Sequence, residues 1–354
     1  MNDFNQSYNF NDFNMNINYN EMLKEAQKKE KKQLIKSASI LGGLLVIYDL
    51  MIQLFGYVFF FIFVSIRTSS VVLSMDKVRD YFSENLWLND STTFSMAYSA
   101  FVVVMSLAVI LLLARLVFRI NIKSIYKFQK GQGKTIMVCF PAVMLVNLII
   151  SLIIGIITAI LSQNGIIVPE ADFSISSPDA EAFFFQILYG VIVAPIVEES
   201  LYRGIAIHLL KPYGKGMAVI ISSIIFGVMH GNVAQATSGF AFALVMGSIT
   251  VMSGSLIPAI VIHMMNNLVA TIPDISDALG SEFVMNIYLA IAIICLLVGT
   301  LVIFANHRKI TLPKDENCVN PASKRYRYAM LNIPMIVYWC TIIYTFVSSF
   351  MEAN

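Results

Sequence analysis

Apolar residues run along this chain in nine stretches, at about 37–66, 94–118, 136–163, 183–210, 217–236, 238–253, 255–272, 284–306 and 331–351. Most approach or exceed the roughly 20 residues with which a helix crosses hydrocarbon. The pattern therefore predicts an all-α fold, a polytopic transmembrane helical bundle of about eight or nine spans. One place is ambiguous. Between 230 and 256 the polar stretch His-Gly-Asn-Val-Ala-Gln-Ala-Thr-Ser-Gly separates two short segments, and one of them is expected to be partial or re-entrant. Such a segment is tolerated only where protein or a wet cavity surrounds it.

The loops between the stretches alternate in charge. The basic set holds Lys28–Lys32, then Arg119 to Lys134, Lys211 to Lys215, and Arg308 to Arg327. The other set is acidic or neutral, with Glu170, Asp172, Asp179 and Glu181, and later Asp274, Asp277 and Glu282. Positive loops stay on the cytoplasmic side. The N-terminus is therefore expected inside and, with nine spans, the C-terminus outside. The first apolar stretch starts after Lys36 and is too long for a signal-peptide core, so no cleavable leader is expected.

Composition agrees with a membrane protein: 57% of the 354 residues are hydrophobic and 13% charged, against about 25% charged in soluble domains. A net charge of +2 gives no electrostatic footprint for nucleic acid. The four cysteines have no metal-site or disulfide spacing. Residues 1–21, rich in Asn with interleaved aromatics, read as a disordered tail. With the Lys/Glu stretch after it they make a cytoplasmic segment, 1–36. N-terminal spans then fill 37–135, a core 136–272, and C-terminal spans 273–354.

Ionisable groups inside these stretches carry the candidate chemistry. At bilayer depth each costs about 2.5–3.5 kcal/mol on insertion scales, and such groups usually face the bundle interior or water. Glu198 and Glu199 are adjacent, and Arg203 lies four residues beyond Glu199, on the same helix face. Glu198 is rotated by about 100° from that face. One carboxylate can pair with the guanidinium while the other stays free as a base. A purely structural ion-pair network explains the same three residues equally well.

His230 ends Phe226-Gly-Val-Met-His230, and His263 shares a face with Asn267. A lone histidine in an apolar helix is more often a hydrogen-bonded core residue, and His and Asn also bond across membrane helices. Together, however, the groups match in depth. Glu198 lies about 20 Å along the helix from the Lys211 turn, His230 about 20 Å up the returning helix, and His263 about 10–18 Å from the same surface. A carboxylate and two imidazoles at one level could activate a water. With zinc, Glu198, His230 and His263 would form a three-ligand open site. Without metal, Glu198 and His230 would serve as the base, with His263 and Asn267 stabilising an oxyanion. The spacing leaves both schemes open, and the His-Glu-x-x-His signature is absent.

The ordered motifs Glu198-Glu199-Ser-Leu-Tyr-Arg203, Phe226-Gly-Val-Met-His230 and His263-Met-Met-Asn-Asn267 resemble those of the CPBP family of intramembrane proteases, also called Abi or CAAX prenyl endopeptidase-like. They cover roughly 183–272. The resemblance implies a membrane endopeptidase in which Glu198 and His230 activate water, His263 and Asn267 form the oxyanion site, and Glu199 and Arg203 support them. The family is classed with metallopeptidases; the resemblance leaves the cofactor unknown, with zinc as one candidate. The implied partners are the lipid bilayer and a membrane-embedded or lipidated peptide substrate, CAAX-like or bacteriocin-like, and the implied location is a bacterial cell membrane. Two other readings fit the residues: a non-proteolytic immunity or scaffold protein of the same fold, and an ion-coupled carrier. No inverted repeat accompanies the carrier reading.

Overall fold

The computed structural model describes residues 10–88, 90–169, 175, 179–308 and 311–353. Residues 1–9 of the Asn-rich tail, and Glu170 and Asp172 of the acidic loop, lie outside them. The described residues form twelve helices and no strand: α1 (Phe10–Thr68), α2 (Met75–Glu84), α3 (Thr92–Leu116), α4 (Ile122–Ile125), α5 (Gln132–Gln163), α6 (Ala180–Tyr213), α7 (Lys215–Val228), α8 (Val233–Ser253), α9 (Ile257–Leu279), α10 (Glu282–Asn306), α11 (Ala322–Met330) and α12 (Ile333–Ala353). Seven of them, α1, α3, α5, α6, α8, α10 and α12, are long and apolar enough to cross a membrane. This is an all-α, polytopic integral membrane protein.

Two expectations about boundaries change. The tail expected to be disordered over 1–21 is helical from Phe10, as the first part of α1. Extending an existing helix needs only one residue fixed per new hydrogen bond, so weak helix formers can be carried along by a strong neighbour. Nor is α8 partial. The break falls at 229–232 rather than 237, which leaves α8 with 21 residues and shortens α7 to 14. At 1.5 Å per residue these are about 31 and 21 Å, so α7 is the short member. His230 consequently sits in the α7–α8 turn and not within a span. The turn closes because Gly231 adopts φ +72°, which favours glycine, and because the Asn232 side chain caps α8 by accepting from the Gln235 N–H at 2.9 Å. The two helices meet closely: a Cβ on Gly227 would lie 2.6 Å from the Ala236 carbonyl oxygen.

The main buried cluster threads α1, α3, α6, α7, α8, α9, α11 and α12, with Ile125 of α4 and Val143 of α5 joining it. On α1 it follows a helical stripe, Leu34, Ala38, Leu41, Leu45 and Tyr48, whose three- and four-residue steps keep one face inward. Further out, α1 is tied to the segment before α11. Glu30 accepts from the Val319 and Asn320 backbone N–H groups at 3.0 and 2.7 Å. By contrast α5 and α10 leave leucine and isoleucine on their outer faces, as lipid permits.

Candidate active site

The site is built on α6, which is not a uniform α-helix. Residues Ile187–Val193 and Glu199–Ala206 are π-helical and flank the α-helical Ala194–Glu198. Such bulges are frequent at functional sites because they rotate the side chains that follow. Here the second bulge starts between the two carboxylates.

Glu199 is fully buried. Its Oε1 lies 3.2 Å from Arg203 Nη1 and 2.9 Å from His263 Nδ1. The Arg203 guanidinium, also buried, lies 3.8 Å from the centre of the Phe226 ring, so a cation–π contact accompanies the ion pair. Its nitrogens make no aligned hydrogen bond, and the contact with Glu199 is one of charge. A buried cation without a directed acceptor depends heavily on that charge and on the ring.

His263 joins the two carboxylates. A carboxylate only accepts, so Nδ1 donates to Glu199. The other ring nitrogen, Nε2, faces Glu198 Oε2 at 3.8 Å, too far for a direct hydrogen bond. Edge-on contacts with Phe242 at 4.8 Å and Phe226 at 6.0 Å hold the imidazole. His230 is oriented from the backbone: Nδ1 donates to the carbonyls of Phe226 at 3.0 Å and Gly227 at 3.2 Å. Its Nε2 is thereby left as the basic nitrogen. The ring also packs against Gly239, where a Cβ would meet His230 Cε1 at an ordinary contact distance of 3.4 Å.

Asn267 donates through Nδ2 to the Gly190 carbonyl at 2.9 Å, on the first π-helical stretch. A row of amides continues from it. Asn266 Nδ2 donates to Asn267 Oδ1 at 3.2 Å, and Asn147 Nδ2 on α5 donates to Asn266 Oδ1 at 2.6 Å. Sequence reasoning missed Asn147 and Asn266, although both stand as polar residues inside apolar runs. It also missed Ser200, which takes a hydrogen bond from the Tyr126 hydroxyl and donates to the Ile196 carbonyl.

Glu198, His230, His263 and Asn267 all line one cavity of about 580 Å³, together with Asn147 and Asn266. Glu199 and Arg203 lie beneath it. Among the cavity's other polar lining residues, Gln186, Gln235, Thr271 and Asp274 belong to the halves of α6, α8 and α9 that lead away from the Lys211 turn. The cleft thus extends toward the acidic end of the bundle.

As a zinc site this set does not fit. Both imidazoles keep an Nε2 available, as a metal ligand requires, but among the described residues no three His, Cys, Asp or Glu side chains gather as a ligand group. What the arrangement does provide is an anionic oxygen, two basic nitrogens and amide donors around a concave space.

Residues 180–269 match the family model described as type II CAAX prenyl endopeptidase Rce1-like. No curated protein and no solved structure matches the chain. The matched stretch begins with α6 and ends within α9, two residues past Asn267, so it includes every side chain placed in the site except Asn147 and Tyr126. Over this stretch, about a quarter of the chain, the match supports the CPBP/CAAX protease family.

Proposed function

We propose that the protein is an intramembrane endopeptidase that hydrolyses a peptide bond in a membrane-embedded or lipidated peptide. The observation that supports this most is the single cavity lined by Glu198, His230, His263 and Asn267, four polar side chains from three elements of a lipid-facing bundle. The family match over 180–269 supports the reaction class.

In this reading Glu198 accepts a proton from a water as its oxygen attacks the scissile carbonyl, and His230 Nε2 is the second basic atom available to that water. Positioned bases of this kind contribute about 10²–10⁴-fold. The oxyanion is met by the second N–H of the Asn267 amide, since its other N–H is held by Gly190. His263, when it carries a proton on Nε2, is a further donor. The proton on Glu198 then passes to the departing amine as the C–N bond breaks. Glu199 and Arg203 touch no reacting atom here. They position His263, through its Nδ1, so that Nε2 points toward Glu198. Basic loops lie at the end of the bundle away from the cleft, and on the positive-inside rule that end and the N-terminus are cytoplasmic. A bacterial cell membrane is the setting in which this family's peptide-maturing members work.

The test compares purified full-length protein with Glu198→Gln on a panel of tagged membrane peptides. We expect turnover to fall by about 10²–10⁴-fold while thermal unfolding in detergent is unchanged. Equal cleavage by the two proteins overturns the reading and leaves the non-proteolytic scaffold.

A further inference from the structure

A second cavity, of about 680 Å³, opens on the other side of Glu198. Glu198, Tyr189, Ala194 and Met229 line both cavities, so the two are adjacent along a wall that holds the proposed base. The remaining lining of the second cavity comes from α1, α3 and α12 and from Val197 and Tyr202 of α6. Apart from α6 and Met229, these walls fall outside the matched stretch 180–269.

The charges lining this cavity all have one sign. Its ionisable acids are Asp49 and Glu198, and no Lys, Arg or His lines it. Asp49 sits mid-way along the apolar part of α1, where a carboxylate is costly unless it faces a cavity or a partner. Its hydrogen bond is a long one, 3.5 Å from Thr341 Oγ1 on α12. Among the described residues no cation forms an ion pair with it. A carboxylate held at this depth, half-buried in a cavity and matched by no positive charge from the protein, is complementary to a positive charge brought by a ligand.

We propose that this cavity is the second arm of the substrate cleft and that Asp49 is a specificity-determining residue, binding a cationic group of the peptide on one side of the scissile bond. The inference rests on the endopeptidase reading. A peptide lying across both cavities passes Glu198 at their junction, which places its backbone at the base and a Lys or Arg side chain, or a free α-amine, near Asp49. The two volumes, about 580 and 680 Å³, each fall in the usual range for ligand pockets.

The experiment uses full-length protein in nanodiscs and tagged peptides with Lys, norleucine or Glu at successive positions around the cleavage site, each with a free or acetylated N-terminus. In the wild type, Lys at one position raises kcat/KM over norleucine by about tenfold or more, mostly through KM. In Asp49→Asn that ratio falls to near one, Asp49→Glu retains it, and Asp49→Lys prefers the Glu peptide. If acetylation, rather than the Lys scan, removes the preference, the α-amine is the group bound. The same peptides are titrated by fluorescence anisotropy into Glu198→Gln with and without Asp49→Asn, so that affinity is read without turnover. Lys-to-norleucine and free-to-acetylated ratios that are both unchanged by Asp49→Asn, in both readouts, overturn the inference. Loss of the endopeptidase reading looks different: wild type and Glu198→Gln then cleave alike, whatever Asp49 does.

Discussion

Helices α9 and α10 are neighbours of similar length, 23 and 25 residues, and they spend their side chains in opposite ways. The second is almost wholly apolar. It buries Cys295 and Gly299 while Ile287, Leu289, Ile293, Ile294, Leu297 and Leu301 stay exposed. The first buries His263, Thr271 and Ser276 among its apolar residues and carries Asn266 and Asn267 at the cavity. It is too polar to count among the helices apolar enough to cross a membrane. In water the burial of apolar surface drives packing. In lipid an exposed leucine costs nothing, and an imidazole must find partners inside the bundle. Of the two, the less hydrophobic helix therefore lies next to the chemistry, and the more hydrophobic one faces the bilayer.

That contrast can be broken on either side. The largest effect is expected from Glu199→Ala, on the helix facing α9. Arg203 would keep its place with no anion, and breaking a buried pair in this way costs about 3–5 kcal/mol. Thermal unfolding of the purified protein would show it as a large drop in midpoint. An unchanged midpoint would mean that the Phe226 ring alone suffices for the cation.

A smaller loss is expected from Gly299→Leu on α10. A Cβ there would lie 2.4 Å from the Pro141 carbonyl oxygen of α5, so the two helices must separate. Overpacking of this kind costs about 1–3 kcal/mol, read in the same assay, while cleavage measured well below the new midpoint is retained. The smallest effect belongs to Ile294→Ala, whose side chain is 58% exposed. Its stability change should stay within about 0.5 kcal/mol. A larger loss would place a partner, and not lipid, against that face.

Much of the fold was legible because lipid imposes a simple rule on sequence. Stretches such as 94–118, 136–163 and 284–306 lie close to α3, α5 and α10, since every backbone group in hydrocarbon must be satisfied within its own helix. The rule weakens where polar residues interrupt. Val233 and Ala234 look like a continuing span, so the apolar pattern predicts the turn several residues later than 229–232. What decides it is the cap supplied by Asn232 and the left-handed Gly231. The Asn-rich start of α1 escaped for a related reason: composition reports local preference and not what a long neighbouring helix can propagate.

For the candidate site, residue types and order were readable from the chain. Glu198, Glu199, Arg203, His230, His263 and Asn267 stood out because an ionisable or amide group in an apolar stretch has a cost that local sequence cannot offset. Three-dimensional structure alone determined which atoms face each other: Nδ1 of His263 on Glu199, Nε2 toward Glu198, and Asn267 on the Gly190 carbonyl. These pairings depend on two π-helical stretches and on contacts between residues more than 60 positions apart. Hydrophobic period carries no record of such register shifts. The same holds for the second cavity, since Asp49 and Glu198 come to line one space only when α1 and α6 pack. Span and polarity are properties of one segment against its solvent, and one sequence suffices to state them. A site is a relation among segments, and only their packing defines it.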